Sequence, residues 1–156
     1  PDVVIAPADG MVVLIVPVDE PTFIHGPTVR VSIFMNVFSV HVNRYPVSGT
    51  VAYVVHKAGK FLNAMVPASS DENEQASVGI IAGTHRILVR QIAGLIARRI
   101  ITDPAVGDQA AQGARFGLIR FGSRVDVFLP TSAVLQVRVG QQTQAGHTVI
   151  ATLPAA

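Results

Sequence analysis

The chain has 156 residues, 49% hydrophobic and 14% charged, with 12 Lys+Arg against 10 Asp+Glu, a formal charge of +2 and no cysteine. That length sets one domain with a sizeable core, the scattered cations with no basic run argue against nucleic acid, and the lack of cysteine removes disulfides, thiolate nucleophiles and cysteine-based zinc sites. No apolar run reaches ~18 residues and the N-terminus shows no signal-peptide pattern, so the sequence offers no bilayer-spanning helix.

Val, Ile and Thr dominate, and no stretch holds a helical period. The reading is therefore a mainly β protein, a single compact domain (1–156) of short, largely antiparallel strands. Residues 3–5 lead into the turn Pro7-Ala8-Asp9-Gly10, and 11–16 resume the strand as far as Pro17. Residues 29–34 read as a buried strand, Pro46-Val47-Ser48-Gly49 as a turn and 50–56 as the next strand. The polar segment 67–76 is a loop or one helical turn. Residues 83–89 and 95–101 suggest two more strands, although 87–99 also carries a weak amphipathic-helix pattern. Residues 116–121 and 124–129 flank the step Gly122-Ser123, and 135–139 and 147–153 close the chain. The two ends echo each other as turn-plus-strand units of the barrel-sandwich or hammerhead kind.

Three places carry residues suited to chemistry. Gly122-Ser123 reads as an exposed step between two strand-like segments. Either it is a bulge or turn, or Ser123 attacks the open carbonyl of Gly122, which has no side chain to block the approach. His41 lies in the most polar island of an apolar half, with Asn43 and Arg44 beside it. On a strand, Ser39, His41 and Asn43 share one face, and an imidazole shuttles protons near neutral pH. Asp9 reads either as an Asx-turn residue or as the carboxylate that orients a histidine base. The other histidines show no spacing that suggests a metal, so no metal site is assigned.

Pro7-Ala8-Asp9-Gly10, the run from Phe38 to Gly49 and the run from Arg115 to Asp126 together resemble the phosphatidylserine decarboxylase family in its short branch. The likeness extends through Gly59-Lys60-Phe61-Leu62-Asn63-Ala64, Glu72-Asn73-Glu74 and the terminal unit beginning Val139-Gly140-Gln141. It implies self-cleavage between Gly122 and Ser123 into a larger chain (1–122) and a smaller one (123–156) that stay associated. It also implies conversion of Ser123 to a covalently bound pyruvoyl group, which condenses with the amine of phosphatidylserine and accepts the electrons released as CO2 leaves, giving phosphatidylethanolamine. Asp9 and Ser123 carry over directly. Where longer members have a second histidine, three residues after the position of His41, this chain has Arg44. The base is then either His41 serving both steps, or another group with Arg44 contributing charge. Arg124 stands where those members have threonine, and it meets either the substrate phosphate or carboxylate, or solvent as a plain strand charge. The resemblance further implies a homodimer, a peripheral membrane location on the cytoplasmic face, and a hydrophobic segment ahead of residue 1, so the chain is expected to be truncated there.

Two other readings stay open at this point. One keeps the pyruvoyl chemistry but acts on a soluble amino acid derivative. The other is a non-catalytic biotinyl/lipoyl-like module, which needs a lysine at a hairpin tip, whereas Lys57 and Lys60 stand outside any tight hairpin.

Overall fold

Val31, Ile33 and Met35 alternate with Arg30, Ser32 and Phe34, and Val125, Val127 and Leu129 alternate with Arg124, Asp126 and Phe128. A period of two sends the first set of each run to one face of a sheet and the second to the other. The two runs pair in that register, Val125 opposite Ile33 and Val127 opposite Val31, with all four side chains fully buried. Burying each contributes about 1.5–3 kcal/mol, so a one-residue slip, which would turn the whole set outward, is strongly disfavoured.

The computed structural model describes residues 2–36, 42–65, 69–94, 100–119 and 122–155, and of Asp71 the backbone alone. Among them, in chain order, are β1 (Asp2–Ile5), β2 (Gly10–Glu20), β3 (Gly26–Met35), β4 (Val42–Arg44), β5 (Gly49–Lys57), the short helix α1 (Ser69–Glu72), β6 (Gln75–Ala82) and β7 (His85–Ile92). Then follow β8 (Ile100–Thr102), β9 (Gln109–Ala110), β10 (Arg115–Ile119), β11 (Ser123–Pro130), β12 (Val134–Leu135), β13 (Gln142–Thr143) and β14 (Val149–Leu153). Eight of these form one antiparallel sheet, in the order β13-β2-β3-β11-β7-β6-β5-β9, which curls into a half-barrel. Two three-stranded sheets, β1-β14-β12 and β4-β10-β8, complete the domain.

The main core fills the space between these sheets. Val31, Ile33, Val89, Val125 and Val127 from the large sheet meet Phe116 and Ile119 of β10 and Ile150, Ala151 and Leu153 of β14. A smaller cluster of Phe23, Leu88 and Phe128 sits on the opposite face of the large sheet. The mainly β, single-domain expectation therefore holds.

Several details differ from the sequence reading. Strand β2 runs through Pro17 to Glu20, because beyond Val12 it has a strand partner on one side only among the described residues, an edge position where proline is tolerated. The polar segment 67–76 ends inside a strand that was not anticipated, β6, which is buried on both faces and shows no alternation. Of the strand expected over 95–101, residues 95–99 lie outside the described residues and Ile100 begins β8. The strand expected over 135–139 shrinks to Val134–Leu135.

The connectivity places the candidate site. β10 belongs to a small sheet and β11 to the large one, so the chain changes sheets between Ile119 and Ser123. β11 then runs between β3 and β7, while β13 pairs with β2 and β14 with β1. Strands that follow Ser123 are thus laced through strands that precede it.

Candidate active site

Gly122 has φ of +79°, in the left-handed region open to glycine and strained for other residues. Its N–H donates to the Met35 carbonyl at the end of β3. Ser123 opens β11 directly opposite Met35 and is fully buried, so the serine of the step expected to be exposed is enclosed, while Gly122 is half-buried. The enclosure follows from the sheet change: the left-handed glycine turns the chain inward, and Ser123 falls on the same face as Val125 and Val127.

Ser123 Oγ lies 3.6 Å from Met35 Sδ, which also receives Asn43 Nδ2 at 3.7 Å. Asn43 Oδ1 accepts from Gln91 Nε2 at 2.8 Å, and Gln91 Oε1 accepts from Thr102 Oγ1 at 2.6 Å. Asn43 and Gln91 are fully buried, and a buried amide in such a chain is costly to leave half-satisfied. This chain of contacts ties the β4-β10-β8 sheet to the head of β11. Asn43 thus belongs to the shell around Ser123 through Met35.

Asp9 caps the end of the same strands. Met11, Phe34 and Arg124 form one cross-strand row, which spans two strand spacings, about 10 Å, and Asp9 and Ser123 lie just beyond its two ends on the same side. Asp9 Oδ1 accepts from the Ala145 N–H at 2.7 Å, and Thr143 Oγ1 donates to the Ala8 carbonyl at 2.9 Å, so the terminal unit clasps the Pro7–Gly10 turn. Asp9 also lines an open hollow of about 420 Å³ with Val42, Arg44, Gly113 and His147. Arg44 is held there by its N–H to the Pro7 carbonyl and by Nη1 to the Gly113 carbonyl, both 2.9 Å. Along β4, Val42 and Arg44 face this hollow while Asn43 faces Met35. His41, the candidate base, lies outside the described residues.

Arg124 has its environment within the chain. Nε and Nη2 form a two-pronged pair with Asp126 at 2.8 and 3.1 Å, Nη1 donates to the Ala64 carbonyl and Ser69 Oγ, and Nη2 donates to Ser70 Oγ at 2.6 Å. Five N–H donors have five acceptors, which exhausts a guanidinium, and the residue is 4% exposed. Arg124 is therefore not a solvated strand charge. It has no donor to spare for a substrate and acts as support, fastening Ala64, Ser69 and Ser70 to β11. The spacing Arg124-x-Asp126 on one strand face was the sequence signal for this pair.

Two residues that sequence reasoning missed bear on the Gly122 carbonyl. Gly94, just past β7, packs so closely that a Cβ there would overlap the Gly122 oxygen and stand 3.0 Å from its carbonyl carbon. Asn73, fully buried, fixes that neighbourhood by accepting from the Leu62 N–H and donating to the carbonyls of Leu62 and Ala93 at 2.7 and 2.6 Å. A glycine flanked by apolar residues and an asparagine in a polar loop gave no pattern pointing to each other.

The opposite face of the large sheet carries a second set of charges. Arg90 Nε donates to Ser77 Oγ at 2.9 Å, its guanidinium stacks 5.0 Å from the Phe128 ring, and Glu20 lies 3.8 Å away. Burial pushes Arg90 below its ordinary pKa, against the pull of Asp126 and Glu20. Burial alone would raise Glu20, but hydrogen bonds from the Ile24 N–H, the Thr22 hydroxyl and the N–H groups of Phe23 and Thr22 outweigh it and hold the carboxyl below its ordinary value.

The structure thus places a left-handed Gly122 ahead of a fully buried Ser123, at the head of a strand paired on both sides in an almost all-β domain. A family model described as phosphatidylserine decarboxylase matches residues 1–151, and the chain belongs to that family. It is 51% identical over 152 residues to a phosphatidylserine decarboxylase proenzyme of Symbiobacterium thermophilum, covering 97% of this chain and 71% of that protein. It is 49% identical over 155 residues to the proenzyme of the same name from Mycobacterium marinum, covering 97% and 65%. The chain thus spans about two thirds of the length of these relatives. No solved structure matches it.

Proposed function

We propose that this chain is a proenzyme that cuts itself between Gly122 and Ser123 and then decarboxylates phosphatidylserine to phosphatidylethanolamine. The observation that carries the reading is the junction itself: in a member of this family, a left-handed Gly122 delivers its carbonyl to a buried Ser123 at the head of a central strand. Ser123 Oγ attacks the Gly122 carbonyl carbon and the amide becomes an ester. Removal of the residue-123 Cα proton then expels the Gly122 carboxylate, and water releases the nitrogen as ammonia, which leaves the pyruvoyl group at the head of the smaller chain.

The chain's own groups divide the work as follows. His41 takes the proton from Ser123 Oγ and Asp9 offsets the charge of the imidazolium that results; Arg44 lines the same hollow as Asp9. The sequence period that pairs His41 with Asn43 supports this choice, since Asn43's side is the one that meets Met35 and Ser123. The backbone N–H of Gly122 on Met35 O and the closeness of Gly94 hold the carbonyl in one orientation, which is the main requirement for an intramolecular attack. The surroundings of Ser123 suit a pyruvoyl group, since Ser123 is enclosed and Met35 Sδ lies 3.6 Å from its Oγ. Once formed, that group supplies the electron sink for loss of CO2; His41 is our candidate to protonate the carbon left behind.

Fragments 1–122 and 123–156 remain together in this reading because β11 pairs on both sides with strands of the larger fragment. Low charge content and a net charge of +2 support work at an anionic lipid surface on the cytoplasmic face, and the unit is a homodimer of such two-chain protomers. Against the carrier reading, Lys60 is tied to Glu72 by an ion pair of 3.2 Å and by its backbone rather than presented at a hairpin tip. The deciding assay supplies processed protein with phosphatidylserine vesicles and, separately, with free serine, and measures CO2. Release from the vesicles is the expected outcome; preferential release from serine overturns the phospholipid assignment.

A further inference from the structure

On the sheet face opposite Ser123, three guanidiniums, Arg30, Arg90 and Arg124, face two carboxylates, Glu20 and Asp126. One positive charge is left over among the described residues of this cluster. It falls to Arg30: Asp126 is already engaged by both prongs of Arg124, and it stands 3.9 Å from Arg30 Nε, beyond hydrogen-bond reach. Arg30 Nε is buried without a hydrogen-bond partner, and so is Ser32 Oγ, two residues along the same face of β3. Ser32 is fully buried. Two unpaired donors beside an uncompensated cation are expensive in a folded chain unless something binds there.

Both residues line a cavity of about 160 Å³. It is opened by a bulge in β2, where the pairing skips Val13 opposite the Ile33–Ser32 step, and bulges of this kind recur beside binding sites. Val13, Leu14 and the half-exposed Met65 form an apolar rim. The floor thus asks for an anion with several acceptor oxygens, and the rim for an attached apolar body.

We propose that this cavity is an anion site that seats the phosphodiester of a phospholipid, with Arg30 Nε and Ser32 Oγ donating to its oxygens and the lipid's glycerol end over Val13, Leu14 and Met65. The choice of a lipid rests on the function proposed above, while the anion site stands on the two unpaired donors. Ser123 faces the other side of β11, so the site lies one residue from the reacting end by way of Arg124 and is separate from the buried shell around Ser123.

The test is run on the full chain carrying Ser123→Ala, which has no serine to process, so that binding does not depend on catalysis. Monomeric dihexanoyl phosphatidylethanolamine, whose single anionic group is the phosphodiester, is titrated by calorimetry, with inorganic phosphate as the second arm. Saturable binding of the lipid is expected, weakened about tenfold or more by Arg30→Met and about threefold or more by Ser32→Ala, the losses of a charge-assisted and a neutral hydrogen bond. In the absence of ligand, Arg30→Met should melt no lower than the parent, because it removes a buried Nε that has no hydrogen-bond partner and the cation in excess in this cluster; a merely structural arginine would show a drop. Lipid binding within twofold of the parent in both variants overturns the site. Phosphate binding as tight as the lipid overturns the phospholipid assignment in favour of a free-anion site. If the unmodified chain releases no CO2 from phosphatidylserine while the lipid still binds in this arginine-dependent way, the catalytic reading fails and the site stands.

Discussion

A methyl group added at Gly94 should stall self-cleavage while the protein stays folded. In Gly94→Ala the new Cβ overlaps the Gly122 oxygen and sits 3.0 Å from the carbonyl carbon and 3.5 Å from Ala64 Cβ. The obstacle is backbone, so no rotamer change relieves it. Since non-bonded carbon contacts settle near ~3.5–4.0 Å, the carbonyl or the Gly94 strand end must move by an amount on the order of 1 Å. A displacement of that size at a reacting centre costs about 10²-fold in rate. The packing penalty is about 1–3 kcal/mol, within the roughly 5–15 kcal/mol that a domain of this kind has in hand. The assay follows the two fragments on denaturing gels over time, with melting temperature measured in parallel. Gly26→Ala, where a Cβ meets nothing within 4 Å, is the control and should process at the parent rate. Hydroxylamine, which cleaves esters, should release no extra fragment from Gly94→Ala, because the defect precedes ester formation. A folded Gly94→Ala protein that processes within a few-fold of the parent would refute the reasoning.

Two further perturbations separate support from chemistry. Arg124→Met strands Asp126 in the sheet without its two-pronged partner, with the more distant Arg30 and Arg90 as remaining cations, and should destabilise the fold by about 3–5 kcal/mol; the double variant Arg124→Met/Asp126→Leu should recover most of that loss in a denaturant titration. Glu20 has a folded pKa below its ordinary 4.5, so its stabilisation is full above that value and disappears as pH falls through the lowered one. Glu20→Gln should therefore melt below the parent at neutral pH, and the gap should narrow as the pH falls below 4.5 and Glu20 becomes protonated in the folded protein too, whereas a constant gap would show that ionisation of Glu20 contributes nothing.

Much of the architecture is legible in local pattern. Turn residues at Pro7–Gly10 and Pro46–Gly49 and the alternation along β3 and β11 are properties of short windows, and each survives in the structure. Strand β6 escaped because burial on both faces erases the period of two, and β2 was cut short at Pro17 because proline reads as a stop unless the strand is known to be an edge there. The neighbourhood of Ser123 divides the same way. Gly122, Ser123 and Asp9 belong to recognisable motifs, and Asn43 stood out as polar within an apolar half. Met35, Gly94 and the Asn43–Gln91–Thr102 chain meet Ser123 or its neighbours across separations of up to 88 residues. Such meetings are set by strand order, β3-β11-β7, which no local period encodes. Arg124 is the intermediate case: its pairing with Asp126 was within reach of the strand period, but its further bonds to Ala64, Ser69 and Ser70 were not.

The central claim is that Ser123 becomes the head of a separate chain. Intact-mass measurement of the folded protein under denaturing conditions tests it directly. The account predicts two species that break between Gly122 and Ser123, the smaller lacking the mass of ammonia expected of an N-terminal pyruvoyl group and resistant to Edman degradation, with both eluting together under native conditions. A single chain carrying an unmodified Ser123 after prolonged incubation of the folded protein would contradict it.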